Sequence, residues 1–123
     1  MKVILSIKPE FASKIFEGTK KYEFRKIGFK RGNVKSIIVY ASSPVQRVIG
    51  EFEICDIIKG ELEYIWRLTK DLSGITKDFY REYYLNKSEA VAIKVGKTHL
   101  YEESKSLADF GIKYPPQSFM YID

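Results

Sequence analysis

The sequence predicts an α+β domain, mainly β: a small mixed or antiparallel β-barrel with helices at its edges. Three observations carry that prediction. Apolar residues recur with a period of two in most patterned stretches, and those stretches are rich in Val, Ile, Phe and Tyr. A helical period shows in only three places, around 10–17, 61–69 and 76–85. No linker, internal repeat or Gly/Ser/Pro-rich break divides the 123 residues, so one domain over 1–123 is expected.

Taken in order, Val3, Leu5 and Ile7 alternate with Ile4, Ser6 and Lys8, a short strand ended by Pro9. Pro9 suits the first turn of a helix, where its missing N–H would have had no partner. Phe11, Ala12, Ile15 and Phe16 form that helix's apolar stripe, and Gly18 stops it as a left-handed residue. Lys20 to Arg25 then alternate, with Tyr22 and Phe24 facing inward and Lys21, Glu23 and Arg25 sharing the other face. Gly28 to Asn33 is a basic turn. Residues 34–41 make a β-branched strand that Ala41-Ser42-Ser43-Pro44 breaks, and Val45 to Ile58 a long strand that Gly50 can bend or bulge. Helices follow at Glu61–Thr69 and Thr76–Leu85. Thr76 is the N-cap of the second, whose stripe of Phe79, Tyr80, Tyr83 and Tyr84 covers the barrel. Glu89–Val95 is a strand, a further strand or extended turn falls near His99–Glu102, and Pro115-Pro116 introduces a last extended segment, Gln117–Ile122.

Composition excludes several classes. With 45% hydrophobic and 30% charged residues the chain is not disordered. Apolar runs stay near about four residues, as in Ile37–Tyr40, too short to span a bilayer, so no membrane partner is expected. Met1-Lys2 leads into strand-like alternation, not an apolar leader with a small-residue cleavage site, which predicts a cytoplasmic protein. Cys55 is alone, which excludes a disulfide framework and a Cys-rich zinc site; its apolar neighbours suggest a core position or strand filler. His99 is alone as well, so paired-histidine metal sites are out, and no metal or cofactor is expected. The eight glycines are dispersed, and none forms a phosphate-cradling loop.

Charge is unevenly placed. The formal net charge is +5, yet residues 1–35 alone hold ten basic groups against three acidic ones, a net of +7. A clustered positive field concentrates polyanions, although a lysine-rich solubilising surface gives the same count.

Within that basic third, Gly18-Thr19-Lys20-Lys21-Tyr22-Glu23-Phe24-Arg25 reads G-x-K-x-x-E-x-R, directly after a helix and on a strand. Glu23, on the same face as Arg25, can hold the guanidinium so that its fork is ready for phosphate or a base edge. Lys20 has the opposite parity, but it leaves the Gly18 turn, which can redirect it towards the other two. The alternative is a surface Glu–Arg pair, worth about 0–1 kcal/mol and without function. Lys8, Lys21 and Lys26 would draw in a polyanion. Ser42 and Ser43 offer hydroxyls to a ligand, or simply start a turn. Gln117 can pair with a base edge, with Ser118 beside it; Phe119 is read as core, and Tyr121 is left open between core and base stacking.

The motif, together with the Ser6-Ile7-Lys8-Pro9 unit, the Tyr40-Ala41-Ser42-Ser43-Pro44 turn and the Pro115-Pro116-Gln117-Ser118-Phe119 segment, resembles the ASCH domain, a family within the PUA-like superfamily of small β-barrels. The resemblance implies a cleft lined by Lys20, Glu23 and Arg25 that holds RNA or a modified nucleotide. Some members are similar to amidohydrolases that cleave an acyl group from a modified cytidine, using a motif Lys to activate a Thr. Glu23 stands where that Thr is expected, so no catalytic residue is assigned. If the chain is an amidohydrolase for a nucleoside such as N4-acetylcytidine, Lys20 is the base and Glu23 works on water. Lys20 would then need a lowered pKa, from burial or from cations such as Lys21 and Arg25.

Overall fold

The computed structural model describes residues 1–122. Its strands are β1 (Lys2–Ile7), β2 (Tyr22–Arg25), β3 (Ser36–Ala41), β4 (Arg47–Glu61), β5 (Glu89–Lys105) and β6 (Phe119–Ile122). Three helices, α1 (Pro9–Glu17), α2 (Leu62–Thr69) and α3 (Lys77–Tyr83), lie between them.

Local signals in the sequence account for the helix ends. Pro9 opens α1, and Gly18 closes it in the left-handed region, its N–H donating to the Ile15 carbonyl. The Thr76 hydroxyl accepts from the Phe79 N–H at 3.1 Å and caps α3.

The strands form one six-stranded sheet in the order β2-β5-β4-β3-β1-β6. β1 and β3 are parallel, and the other described pairs are antiparallel. The sheet is mixed, as expected, but it does not close into a barrel. β2 and β6 are four-residue strands at opposite ends of the order, and no ladder joins them. Side chains and the 26–35 connection bridge that seam instead: Phe29 packs edge-on against Phe119, and the Lys30 N–H donates to the Tyr121 hydroxyl.

β5 runs through the place where the sequence suggested a break near Gly96, and it absorbs the irregularity as register shifts against β4. One of those shifts falls at Gly50, as its position in the strand pattern suggested. Both faces of β1 are buried: Val3, Leu5 and Ile7 join one cluster with Ala12, Ile15 and Phe52, while Ile4 joins another with Ile38, Tyr40 and Val48. A third cluster, of Phe24, Ile65, Trp66, Tyr80 and Tyr84, fastens α2 and α3 to the β2 end of the sheet. Cys55 is not in the core; it is exposed on β4.

Candidate functional site

A cleft of about 420 Å³ opens beside the β2 edge. The end of β1, the start of α1, all of the 23–26 segment, α3 and the residues just before β6 contribute to it. The cleft therefore lies at the unpaired seam between β2 and β6.

Arg25 is held from two sides there. It donates to Glu23 Oε2 at 3.3 Å, and its other terminal nitrogen donates to the Ser118 hydroxyl. Both carboxylate and guanidinium are largely withdrawn from solvent, with side-chain exposures of 8% and 12%. A charged fork held from two sides loses little freedom when a phosphate or base edge arrives. β2 itself is held in place by the Tyr84 hydroxyl, which donates to the Arg25 carbonyl at 2.8 Å.

Lys20 is buried, with 1% exposure, although it precedes β2 and has the opposite parity to Glu23 and Arg25. Its ammonium donates to the Ser73 carbonyl at 2.6 Å and lies 5.2 Å and 5.0 Å from the ring centres of Phe11 and Phe24. It makes no ion pair among the described residues. Burial pushes its pKa down from 10.5 to about 8; the Glu23 charge opposes that shift and the Lys14 charge adds to it. The cation beside it is thus Lys14, not Lys21 or Arg25 as the sequence suggested.

The loop between α2 and α3 grips this lysine. Lys14 donates to the Gly74 carbonyl at 3.1 Å, and the Lys21 N–H donates to the Leu72 carbonyl at 2.8 Å. Gly74 has φ +70°, and a Cβ there would lie 2.6 Å from the Cβ and Cγ of Lys20. Only glycine leaves room for the stem. In the sequence, Ser73-Gly74 simply lies between the helical stretches at 61–69 and 76–85.

Lys8, Lys26, Gln117 and Ser118 also line the cleft. Lys8 lies 5.1 Å over the Phe79 ring and Lys26 4.8 Å over the Tyr83 ring. Lys21 is not among the lining residues, and neither are Ser42 and Ser43. Those two serines form a turn at the C-terminal end of β3, behind Ile7 of the cleft lining: the Ser42 N–H donates to the Ile7 carbonyl and the Ser42 carbonyl accepts from the Val45 N–H. Phe119 packs against the core, as read from the sequence.

The sequence missed the aromatic side of the cleft. The four-residue stripe of α3 was assigned wholly to covering the sheet. Tyr80 and Tyr84 do so, Tyr83 packs against the same cluster and also lines the cleft, and Phe79 lines the cleft. Their rings are near-parallel, 10° apart in tilt with centres 6.4 Å apart, and Phe11 meets Phe79 edge-on at 5.1 Å. Adjacent aromatic pairs at i, i+1, i+4 and i+5 make a stripe wider than one contact needs, and that width was the available signal.

On the opposite side, Glu51 is committed to structure. It accepts from Lys2 at 3.0 Å and from the Tyr101 hydroxyl at 2.7 Å. Among the described residues no three His, Cys, Asp or Glu side chains are grouped so as to hold a metal ion.

The ASCH domain model matches residues 5–99. The chain is 27% identical over 125 residues to a Zymomonas mobilis protein named ASCH domain-containing ribonuclease, covering 97% of this chain and 82% of that one. The crystal structure of ASCH from Zymomonas mobilis superimposes with a TM-score of 0.88 at 26% identity, over 99% of this chain and 87% of that one. A Ureaplasma parvum protein named ATP synthase subunit alpha is 31% identical over 121 residues, but the chain spans only 15% of its length. With the family model matched over most of its length and its fold shared with a solved member, this chain belongs to the ASCH domain family.

Proposed function

We propose that this domain binds RNA or a modified nucleotide, with one unstacked base or its phosphate held in the cleft at the β2 edge. The observation that carries the proposal is the Arg25 guanidinium, fixed by Glu23 and Ser118 at the mouth of a cleft that also holds Gln117 and two aromatic rings of α3. Arg25 would meet phosphate or a base acceptor, Gln117 a base edge, and Phe79 and Tyr83 a base face. Lys8 and Lys26 would supply the long-range attraction. The ribonuclease name of the Zymomonas relative supports an RNA-related ligand. A single domain acting in the cytoplasm is the setting proposed for it.

Titrating a short single-stranded RNA by calorimetry at several salt concentrations tests the proposal. Affinity should fall steeply as salt rises, with a slope of roughly −0.7 per phosphate contacted. Binding that ignores salt, or that survives Arg25→Ala undiminished, contradicts it.

One observation favours a second reading, hydrolysis of an acylated nucleoside. Lys20 has a pKa of about 8 and lines the same cleft as Glu23, so its neutral amine is available to take a proton near physiological pH. Under this reading Lys20 is the base and Glu23 acts on water. Incubation with N4-acetylcytidine separates the readings: release of acetate that Lys20→Ala abolishes supports hydrolysis, and an unchanged nucleoside excludes it.

A further inference from the structure

The basic segment after β2 begins in the cleft at Lys26 and runs on beyond it. Lys26, Lys30, Arg31 and Lys35 all fall between β2 and β3 with no acidic residue among them. Among the described residues none of the four forms an ion pair. Lys30 and Arg31 are exposed, and hydrogen bonds tie the backbone that carries them to β6. Both their N–H groups point at the Tyr121 hydroxyl, at 2.9 Å and 3.4 Å. The Arg31 guanidinium stacks 4.6 Å from the Tyr121 ring centre. Beneath it, Phe29, Phe119 and Tyr121 pack edge-to-face on one another.

This platform continues the cleft on both strands of the seam. Lys26 follows Arg25 and lines the cleft; Phe119 follows Ser118, the residue that receives the Arg25 hydrogen bond. Phe119 and Tyr121 share one face of β6, about 7 Å apart at the usual rise of an extended strand. Unneutralised cations with an aromatic ring beside them are what a single-stranded polynucleotide uses: the backbone follows the charge and a base stacks on the ring or on the guanidinium.

We propose that Lys30, Arg31 and Tyr121 form a second subsite, which takes the nucleotide flanking the one in the cleft, so that the ligand is a single-stranded polynucleotide and not a free nucleotide. This rests on the nucleotide-binding reading of the cleft and extends it to a neighbouring surface. An acidic protein is the competing partner. It would satisfy the charges of the turn but has no need of the stacked ring.

The test compares uridine monophosphate with an oligouridylate of about eight nucleotides, within the roughly 4–16 nucleotide footprints of single-strand binders. The variant is Lys30→Ala/Arg31→Ala, which alters only exposed side chains. The unaltered protein should bind the oligomer at least about tenfold more tightly than the monophosphate, as one added stacked base implies. The double variant should lose most of that advantage, leave monophosphate binding unchanged, and flatten the salt slope by roughly 1.4, for two phosphates. Equal affinity for the two ligands overturns the second subsite, as does an oligomer affinity that the double variant leaves intact. So does displacement of the oligomer by polyglutamate of matched charge at equal potency, which assigns the turn to an acidic protein. Failure of both ligands to bind overturns the cleft reading itself, and is told apart by the lost monophosphate signal.

Discussion

Arg25 and Ser118 are hydrogen-bonded to each other although β2 and β6, the strands they border, are the two opposite edges of the sheet. The sheet therefore curls until its edges meet, and the contact between them is made by side chains and not by a backbone ladder. A completed ladder would have filled the seam. Leaving it open creates the cleft, with one charged group reaching across it.

That contact has a measurable consequence. Ser118→Ala removes one of the two holds on the Arg25 fork while leaving Glu23 in place. We expect ligand affinity to drop about three- to tenfold, the value of one hydrogen bond, with little change in Tm because Ser118 is exposed. Arg25→Lys should cost more than Ser118→Ala, since a lysine cannot span Glu23 and Ser118 with one planar group. Calorimetry on both variants checks the order.

Lys20 predicts a pH dependence of stability. Its folded pKa, about 8, lies below its ordinary value of 10.5, so between these limits the folded state holds fewer protons than the unfolded one. Stability then rises with pH. The rise should amount to on the order of 1–2 kcal/mol between pH 8 and 9.5. Above about pH 10 the buried tyrosines act in the opposite sense, because burial holds Tyr80, Tyr84 and Tyr101 protonated when their unfolded counterparts ionise. Chemical denaturation across this range should show the rise, and Lys20→Met should remove it while stabilising the protein at pH 7.

Gly74→Ala tests the grip on Lys20. The new methyl group would meet the lysine stem at 2.6 Å and force a left-handed conformation on a residue with a Cβ. A loss of about 2–3 kcal/mol is expected by denaturant titration. Gly18→Ala is the control: φ is similarly positive at +89°, but no atom lies within 4 Å of the new Cβ, so it should cost clearly less.

Tyr84→Phe removes the hydroxyl that ties down β2. The ring stays packed against Tyr80 and Tyr83, so the cost should be about 1 kcal/mol. Amide exchange should speed up in Tyr22–Arg25 more than in β3, because the lost bond ends on the Arg25 carbonyl.

The fold was legible in the sequence wherever a local signal acted alone. Pro9 and Gly18 bracket α1, Thr76 caps α3, and the apolar alternation of β1 appears as written. The pairing of Glu23 with Arg25 followed from their spacing on one strand face. What stayed hidden depends on contacts between distant segments. Neither the burial of Lys20 under the Ser73-Gly74 loop nor the open seam between β2 and β6 has a local cause. Cys55 fills a strand position and not a core one for a related reason: hydrophobic neighbours on a strand do not say which face is covered. That Phe79 and one side of Tyr83 are open to the cleft is not visible in a stripe of aromatic residues, which does not reveal how much of it the core can use.

The most direct test is a map of backbone amide shifts as a short oligouridylate is added to isotope-labelled protein. Saturable changes should concentrate in Ser6–Phe11, Lys20–Lys26, Ile75–Tyr83 and Gln117–Ser118, around the cleft, extend to Lys30, Arg31 and Tyr121 where the flanking nucleotide lies, and shrink with salt. Changes confined to the opposite side, around Glu51, Lys97 and His99, or a spectrum unaltered at millimolar ligand, would contradict a nucleotide site at the β2 edge.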